Sequence, residues 1–316
     1  MSPAEIVASA PARVDLAGGW TDVAPYTTEV GGAVCNVAIE LRAMVTVNVA
    51  ERATPPTDSL VNAAWHRAGE PAVTLRLHSS IPLGSGLGGS SAVGVALAAA
   101  LSAWQGLTRT AGELAELSRS TELDTLGLAG GCQDHYAAAY GGALLLTCGA
   151  DTVAESIPLP DATIAEFEQR AMIAYTGESR MSSRTITAVL DAWRAGETQT
   201  CAALATMAGL APDMAAALRD GDIDHLGMLL SQQWAAQRAL HPTITTPLID
   251  RIVDGVAQAG ALGTKALGAS GGGCVLVIAR ADRVNAVRSA LEQHASLLPL
   301  RIARRGVQLH INGRTA

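Results

Sequence analysis

The chain has 316 residues, a formal net charge of −7 and a composition that is 49% apolar but only 3% aromatic. The negative charge argues against a basic nucleic-acid-binding protein, although a phosphate ligand needs only a local positive potential. At roughly 150 residues per domain, the length predicts about two domains, with cores filled mainly by Ala, Leu and Val.

Membrane and secretory features are not apparent in the sequence. The first residues lack the basic, apolar and small-residue order of a signal peptide. The longest apolar stretch, residues 92–104, is shorter than the roughly 20 residues that a membrane span needs. None of the five cysteines forms a C-x-x-C pair, which argues against a zinc site or a disulfide framework. We therefore predict a cytoplasmic protein with reduced thiols and with neither a membrane nor a nucleic acid as partner.

The first half of the chain combines alternating segments with apolar helical ones. The predicted strands are residues 34–51, 73–78 and 141–147. A glycine-serine loop at 84–91 leads into an apolar helix that ends near Trp104. Thr110 and Glu113 have the spacing of a capping box, which predicts a helix that continues through Glu122.

The second half is predicted to be mainly helical. The predicted helices are residues 182–195, 199–219, 222–240 and 245–260. A glycine loop at 268–273 then precedes a strand at 274–279. Prolines and polar residues cluster at 157–160, so we predict two domains, residues 1–160 and residues 161–316. Because strands and helices lack a steady βαβ rhythm, the predicted fold class is α+β rather than a doubly wound sheet.

The segment 82–92, PLGSGLGGSSA, is the most informative part of the sequence. Its glycines permit positive φ and a close approach of the backbone to a ligand. Because the loop opens a helix, free N–H groups and the positive helix end converge on one point, which suits a phosphate. Ser90 or Ser91 would cap the helix and could also offer a hydroxyl to Mg²⁺. The predicted nucleotide-binding residues are Pro82, Gly84, Ser85, Gly86, Leu87, Gly88, Gly89, Ser90 and Ser91.

The same loop pattern also occurs in a packed turn with an ordinary helix cap, in a dinucleotide fingerprint and in a protein-kinase glycine loop. Gly84, Gly86 and Gly89 match G-x-G-x-x-G, but Pro82 interrupts the link to the preceding strand. No acidic strand end follows about 20 residues later, as a dinucleotide fingerprint requires. Glu40 stands where a protein kinase needs lysine, and H-R-D, D-F-G and Walker G-K-[ST] elements are missing. The loop by itself leaves the alternatives open.

Two further motifs accompany the loop. PARVDLAGGWTD at residues 11–22 lies near the start of the chain, and KALGASGGGC at residues 265–274 lies near its end. The three segments resemble, in the same order, the three motifs of the GHMP kinases, which include galactokinases, homoserine kinases, mevalonate kinases and phosphomevalonate kinases. This resemblance covers nearly the whole chain. It implies an N-terminal domain similar to the second domain of ribosomal protein S5, a ferredoxin-like C-terminal domain, and ATP and Mg²⁺ as cofactors.

Four segments are similar to bacterial heptose-7-phosphate kinases and fucokinases in particular. They are GGWTD at 18–22, GCQDHYA at 131–137, YTGESR at 175–180 and the stretch 234–250. Those relatives phosphorylate an anomeric hydroxyl, so the resemblance implies a sugar 1-phosphate as product. Gly19 and Trp20 replace the Glu-His of galactokinases, which argues against the galactokinase mode of holding the far end of the sugar. Ser270 replaces a frequent glycine of the third motif, and a positive φ there would cost about 1–2 kcal/mol.

The resemblance also assigns chemical roles to individual side chains. Asp134 matches the catalytic aspartate that accepts the hydroxyl proton, with a helix cap as the alternative. Arg13 matches the basic residue near the reacting hydroxyl and stays charged, so it cannot be the base; a salt bridge to Asp15 is its alternative. Glu122 would hold Mg²⁺ together with Ser91, unless it is a solvated residue of a helix face.

Residues that would contact the sugar come from all three motifs and from the segment after Tyr175. Asp22 matches a sugar-binding aspartate, since a carboxylate accepts from two adjacent hydroxyls, or it caps a turn instead. His135 is expected to be structural. Arg180 and Arg184 would bind a remote phosphate, or else lie solvated at a helix start. The predicted substrate contacts are Asp15, Trp20, Thr21, Asp22, Gly177, Arg180, Arg184, Gly271 and Gly272.

The sequence thus predicts a phosphotransferase that acts on a small-molecule sugar or sugar phosphate. A phosphorylated sugar or cyclitol ranks above a neutral 6-deoxy sugar, because Arg184 adds a second cation beside Arg180. The competing class is a non-catalytic sugar sensor on the same fold, and the presence of Asp134, Glu122 and Arg13 favours the enzyme. A homodimer is left open.

Overall fold

The computed structural model of the chain describes residues 5–125, 127, 130–178 and 183–315. Antiparallel pairing builds two sheets from these residues. The strands of the first sheet are β1 (Glu5–Ala17), β2 (Gly32–Val49), β3 (Val73–Ser79), β4 (Ala143–Cys148), β5 (Thr152–Ile157), β10 (Gln308–Ile311) and β11 (Arg314–Thr315). Their order is β11-β10-β1-β2-β4-β5, and β3 also pairs with β2.

Strand β2 organises the first sheet because it is long enough to serve three neighbours. It pairs with β1 along nearly its whole length, with β4 near its start and with β3 near its end. Alternate side chains of β1, from Ile6 to Val14, are almost completely buried. Three of the five are alanines, so this face of the sheet admits a closely packed helix.

The helices next to the first sheet are α2 (Ser59–Arg67), α3 (Gly89–Trp104), α4 (Ala111–Ser120) and α5 (Gln133–Tyr140). The alanine-rich α3 packs on β1 and β2, and α4 packs on α3 and α5. The capping box that begins α4 is confirmed, because Thr110 and Glu113 each accept from the other's backbone N–H. The predicted continuation through Glu122 differs: α4 ends at Ser120, and a π-helical turn, Thr121–Thr125, follows it.

The second sheet has the strand order β7-β8-β6-β9. Its strands are β6 (Ala171–Tyr175), β7 (Ala261–Ala266), β8 (Cys274–Ala279) and β9 (Ser296–Leu298). The remaining helices are α1 (Tyr26–Glu29), α6 (Asp161–Arg170), α7 (Ser183–Arg194), α8 (Thr198–Asp220), α9 (Ile223–Leu240), α10 (Pro247–Ala259) and α11 (Val284–Glu292), with a 3₁₀ turn at Pro242–Ile244. Mixed strands and helices without a βαβ rhythm confirm the predicted α+β class.

The end of the chain returns to the first sheet. Strand β10 pairs with β1, so that Ile6 lies opposite Ile311, and β11 extends the same edge. The first sheet therefore contains residues from both sides of position 160, and the predicted division there stays a prediction.

Helix α8 also crosses this division, because it packs on β1, β2 and β4. Among the described helices, α8 alone is long and apolar enough to span a membrane, but half of its 18-residue apolar window is buried inside the protein. The core helix of a folded domain meets the same criteria of length and composition.

Candidate active site

The glycine loop between β3 and α3 adopts a backbone that side chains would oppose. Gly84, Gly86 and Gly88 have φ of +66°, +74° and +74°. A Cβ on Gly86 would lie 2.7 Å from the carbonyl oxygen of Leu267, and a Cβ on Gly88 would lie 3.1 Å from the carboxyl group of Asp134. The loop therefore needs glycine for both its conformation and its close contacts. The predicted positive φ is confirmed, and the predicted approach of the backbone to a ligand stays a prediction.

The predicted serine cap of α3 is wrong. The N-cap residue is Gly88, in the left-handed region, and no side chain caps the helix. The Ser91 hydroxyl instead faces His135. The first-turn N–H groups of α3 are consequently left without a side-chain acceptor, which suits a helix end that binds phosphate.

The third motif holds the loop from the other side. The backbone N–H of Cys274 donates to the carbonyl oxygen of Ser85 at 2.8 Å. A Cβ on Gly268 would lie 3.0 Å from the Cα of Gly86, and a Cβ on Gly273 would lie 2.8 Å from the oxygen of Ser85. The two glycine loops thus pack backbone against backbone, and β8 fixes the loop between β3 and α3 in place.

Ser270 in this motif has a φ of +67°, the positive value considered from the sequence. The left-handed region costs a non-glycine residue about 1–2 kcal/mol. Gln237 Nε2 donates to Ser270 Oγ at 2.8 Å, which offsets part of that cost. The neighbours Gly271 and Gly272 touch backbone rather than open space: Gly271 donates to Ile244, and a Cβ on Gly272 would meet the carbonyl oxygen of Glu178 at 2.8 Å. Their predicted contact with substrate stays a prediction.

Arg13 and Asp134 form the central ion pair. Arg13 lies on β1 and Asp134 in the first turn of α5, and the Nε and Nη2 atoms of Arg13 lie 2.7 and 2.6 Å from Asp134 Oδ1. Arg13 Nη1 also donates to the carbonyl oxygen of Gly86 at 2.6 Å. Asp134 does not cap its helix, since the N-cap position belongs to Cys132 and no side chain caps there. The second oxygen of Asp134, Oδ2, therefore faces the start of α3 at Gly88.

Asp15 belongs to a different pair. Lys265 Nζ donates to Asp15 Oδ2 at 2.5 Å and to the Asp15 carbonyl oxygen at 2.9 Å, so the considered Arg13–Asp15 bridge is not formed. Lys265 is fully buried. Burial lowers the pKa of Lys265, and the charge of Asp15 opposes that shift. This pair joins β1 of the first sheet to β7 of the second, and Lys265 was overlooked although it opens the third motif.

The predicted metal ligands lie together. Ser91 Oγ and Glu122 Oε2 are 3.4 and 3.3 Å from the same atom, Nε2 of His135. Glu122 is 13% exposed and is not a solvated residue of a helix face. Its Oε1 atom is buried and has no hydrogen-bond partner.

These residues fit a magnesium ion that also takes nucleotide oxygens. No group of three or more His, Cys, Asp or Glu side chains suited to a metal occurs in the described part of the chain. Mg²⁺ in phosphoryl-transfer sites does not need one, because one or two protein ligands, phosphate oxygens and waters complete its shell. A buried carboxylate oxygen without a partner is what such an ion would satisfy.

The first motif places Asp22 beside the start of α5. Asp22 Oδ2 accepts from the backbone N–H of Gln133 at 3.0 Å, while Oδ1 is buried without a partner. Burial raises the pKa of Asp22 to about 6, and the charges of Asp134 and Asp15 add to that shift. Asp22 therefore satisfies the end of a helix far along the chain rather than its own turn.

The other predicted substrate contacts differ in their surroundings. Thr21 is completely buried and its hydroxyl donates to Gly18 at 2.7 Å. Trp20 has a φ of +83° and packs in the core of the second half, with an unpartnered indole N–H. Gly177 has a φ of +73° and open space where a Cβ would be. Arg180 lies outside the described residues, as does the side chain of Arg184.

Comparison with known proteins identifies the family and the fold of this chain. The model "GHMP kinases N terminal domain" matches residues 58–142, and the model "GHMP kinases C terminal" matches residues 214–297. The chain belongs to the GHMP kinase family. The predicted family and its two-domain fold are thereby confirmed.

Similar proteins include sugar kinases of two kinds. The bifunctional fucokinase/GDP-fucose pyrophosphorylase of Arabidopsis thaliana is 25% identical over 327 residues, covering 90% of this chain and 31% of the relative. The D-glycero-α-D-manno-heptose 7-phosphate kinase of Campylobacter jejuni is 25% identical over 296 residues, covering 83% of this chain and 86% of the relative. The chain therefore spans about a third of the length of that fucokinase relative.

Among solved structures, a D-glycero-D-manno-heptose 1-phosphate kinase from Bacteroides thetaiotaomicron superposes with a TM-score of 0.78 at 23% identity. The match covers 96% of this chain and 98% of the other. This likeness supports the fold.

Proposed function

We propose that the chain is a kinase that transfers the γ-phosphoryl group of ATP to a hydroxyl of a sugar or sugar phosphate. The observation that carries the proposal is the carboxylate of Asp134, which is held on one oxygen by Arg13 and presents the other toward Gly88. A base, a fixed cation and a glycine-lined helix end thus occupy one place, and phosphoryl transfer depends mainly on such positioning.

Each of these residues has a distinct part in the reaction. The N–H groups at the start of α3 bind the phosphates, and Asp134 Oδ2 accepts the proton of the attacking hydroxyl. Arg13 holds Asp134 in one orientation and its charge stabilises the transferring group. Ser91 and Glu122 would hold Mg²⁺, which neutralises charge on the phosphate oxygens when bound.

For the acceptor, we propose a sugar with a remote phosphate, or a cyclitol phosphate, phosphorylated at an anomeric or equivalent hydroxyl. The similarity to a heptose 7-phosphate kinase supports it, since that relative matches this chain over most of both lengths. Similarity to fucokinases supports a neutral 6-deoxy sugar as the second candidate. The cytoplasmic location and the absence of membrane or nucleic acid partners stay predictions.

A substrate panel tests the kinase activity. ADP formation should be followed with heptose 7-phosphate, fucose, galactose and a cyclitol phosphate as acceptors, with and without Mg²⁺. The proposal predicts Mg²⁺-dependent ADP formation with at least one acceptor. Binding of ATP without turnover on any acceptor, in folded protein, would instead favour a non-catalytic sugar sensor.

The Arg180→Ala, Arg184→Ala double variant tests the remote phosphate. Loss of two charge-assisted contacts should lower kcat/KM for heptose 7-phosphate by about 100-fold or more and leave fucose nearly unaffected. Arg194→Ala, at the far end of α7, is the matched control. Efficient turnover of fucose, with no gain from a remote phosphate, would reverse the ranking of the two substrates and leave the kinase proposal intact.

A further inference from the structure

We propose that His135 is a positioning residue that holds Ser91 and Glu122 at the spacing Mg²⁺ requires. The inference rests on the proposed function, because it concerns the metal of the same reaction. His135 was expected from the sequence to be structural, and its contacts give it a more specific task.

The imidazole of His135 lies where three elements meet. It is 2% exposed, and its Nε2 atom lies 3.4 Å from Ser91 Oγ of α3 and 3.3 Å from Glu122 Oε2 of the π-helical turn. His135 itself belongs to α5, one residue after Asp134. A single ring nitrogen therefore touches both metal ligands and is tied by the backbone to the residue that accepts the proton.

The hydrogen-bond network assigns the proton of this ring. An unprotonated Nε2 would place its lone pair against the Glu122 carboxylate, which is unfavourable, so Nε2 carries the hydrogen. This N–H lies at similar distances from two oxygen acceptors, Ser91 Oγ and Glu122 Oε2, and is shared between them. Nδ1 then accepts from the hydroxyl of Ser118, 2.9 Å away.

Helix packing makes room for the serine that fixes the tautomer. A Cβ on Gly94 would lie 2.3 Å from Ser118 Oγ, so only a glycine at that position of α3 admits the hydroxyl. Gly94 thus leaves room for Ser118, and Ser118 contacts His135. His135 in turn contacts the two proposed ligands. At the end of this series of contacts, Glu122 Oε1 is buried and unpartnered, and this oxygen is available to a cation.

The physical consequence is a fixed direction for the metal ligands. Glu122 stands on a short π-helical turn rather than on a regular helix, so its carboxylate depends on a side-chain contact for its orientation. Outer partners of this kind orient ligands, and removing them typically costs 10–100-fold in metal affinity. His135 would act on the metal through Ser91 and Glu122 without being a ligand itself.

The test measures how much Mg²⁺ strengthens nucleotide binding. A non-hydrolysable ATP analogue is titrated by calorimetry with and without Mg²⁺, and the ratio of the two affinities is compared among variants. His135→Leu should lose about tenfold or more of that ratio while its metal-free affinity changes little. His135→Gln keeps an N–H donor near the Nε2 position and should retain most of the ratio.

A second pair of variants acts on the ring from its other side. Ser118→Ala removes the hydroxyl that holds Nδ1 and should lower the ratio by a few-fold. Ser120→Ala is the matched control on the same helix, because its hydroxyl donates to Leu117 and does not touch His135. If His135→Leu fails to fold, the comparison of these two serine variants decides the question.

Two results would contradict the role of His135 while leaving the kinase proposal standing. One is an unchanged ratio in folded His135→Leu, and the other is an equal ratio in Ser118→Ala and Ser120→Ala. Wild-type protein that binds no nucleotide overturns the proposed function and this inference with it.

Discussion

At the scale of single residues, the carboxyl groups of the site differ in the partners of their two oxygens. Asp134 and Asp15 are each paired with a cation, Arg13 and Lys265 respectively. Asp15, Asp22 and Glu122 each keep a buried oxygen without a partner. Since an unpaired buried acceptor carries the full cost of its desolvation, these three oxygens are places where a ligand would recover free energy.

The proposed magnesium ligands, Ser91 and Glu122, give the first prediction for single residues. Ser91→Ala and Glu122→Gln should each raise the half-saturating Mg²⁺ concentration by about tenfold or more, since even outer partners of a metal typically cost 10–100-fold. The measurement is a magnesium titration of initial rates at fixed ATP. Glu116→Gln is the control, because Glu116 pairs with Arg119 and Tyr136 outside the site. Unchanged titrations in both ligand variants would remove them from this role.

Asp22 gives a prediction about pH and stability. Its pKa is raised from 3.8 in the unfolded chain to about 6 in the folded protein by burial, so its ionisation opposes folding. The native state therefore loses stability as pH rises from about 4 to about 6, by about 3 kcal/mol at most. Asparagine at this position cannot ionise. The free energy of unfolding of Asp22→Asn, relative to that of the wild type, should therefore increase over this pH interval. Chemical denaturation at pH 4 and pH 7 measures the free energy of unfolding of both proteins. The same difference between variant and wild type at the two pH values would contradict the raised pKa of Asp22.

At the scale of elements, the glycine loop between β3 and α3 depends on backbone conformation more than on side chains. Gly88 combines a φ of +74° with a Cβ position 3.1 Å from Asp134. Gly69 provides a comparison within the same chain, because its φ is +78° and nothing lies near its Cβ position. A substitution at Gly69 therefore measures the cost of the backbone conformation alone. A substitution at Gly88 measures that cost together with the cost of the contact with Asp134.

Alanine at these two glycines should therefore have different effects on activity. Both Gly88→Ala and Gly69→Ala should lose about 1–2 kcal/mol of stability, because alanine is strained at positive φ. Only Gly88→Ala should lower kcat, by about 10–100-fold, because it displaces Asp134 from the start of α3. Denaturation and steady-state rates check the two parts. Equal kcat in the two variants would show that the approach of Asp134 to Gly88 has no catalytic consequence.

Local patterns also explain which elements the sequence could predict. The capping box at Thr110 and the strand Cys274–Ala279 depend on neighbouring residues and were predicted correctly. Strand β1 was not predicted, because Pro11 and Asp15 interrupt the local pattern of a strand. Its extended backbone is stabilised by pairing with β2. The return of β10 to β1 joins residues about 300 positions apart, which no local pattern contains.

The same dependence on local pattern explains which residues of the site the sequence could predict. The glycine motifs were visible because backbone conformation demands particular residues at particular positions. The helix cap was misassigned to serine, because a left-handed glycine cap followed by two serines has the same local pattern as an ordinary serine cap. Lys265 was overlooked, and His135 was expected only to be structural, because their partners Asp15, Ser91 and Glu122 come together only in the folded chain.

At the scale of the whole molecule, the site is assembled from both sheets. Strand β1 supplies Arg13 and Asp15, and β7 supplies Lys265. The loop after β7 packs against the glycine loop between β3 and α3. The buried pair of Asp15 and Lys265 is the electrostatic contact at this junction. Its loss should affect the stability of the entire protein rather than one loop.

We therefore expect Lys265→Met to be strongly destabilising. It leaves Asp15 buried and unpaired, which typically costs about 3–5 kcal/mol, and the added change Asp15→Asn should restore part of that loss. Chemical denaturation of the two single variants and the double variant measures the coupling. Arg280→Met, which breaks the exposed pair with Asp282, should cost little. Additive losses at Lys265 and Asp15 would contradict a coupled pair.

The most direct test of the proposed phosphoryl transfer is the Asp134→Asn variant, assayed with the best acceptor from the substrate panel. Asparagine keeps the size of the side chain and a contact with Arg13, but it cannot accept the hydroxyl proton as a carboxylate does. If Asp134 accepts the hydroxyl proton, kcat should fall by about 10²–10⁴ while the affinity for ATP, measured by calorimetry, stays near that of the wild type. A near-native kcat in folded Asp134→Asn would contradict this role.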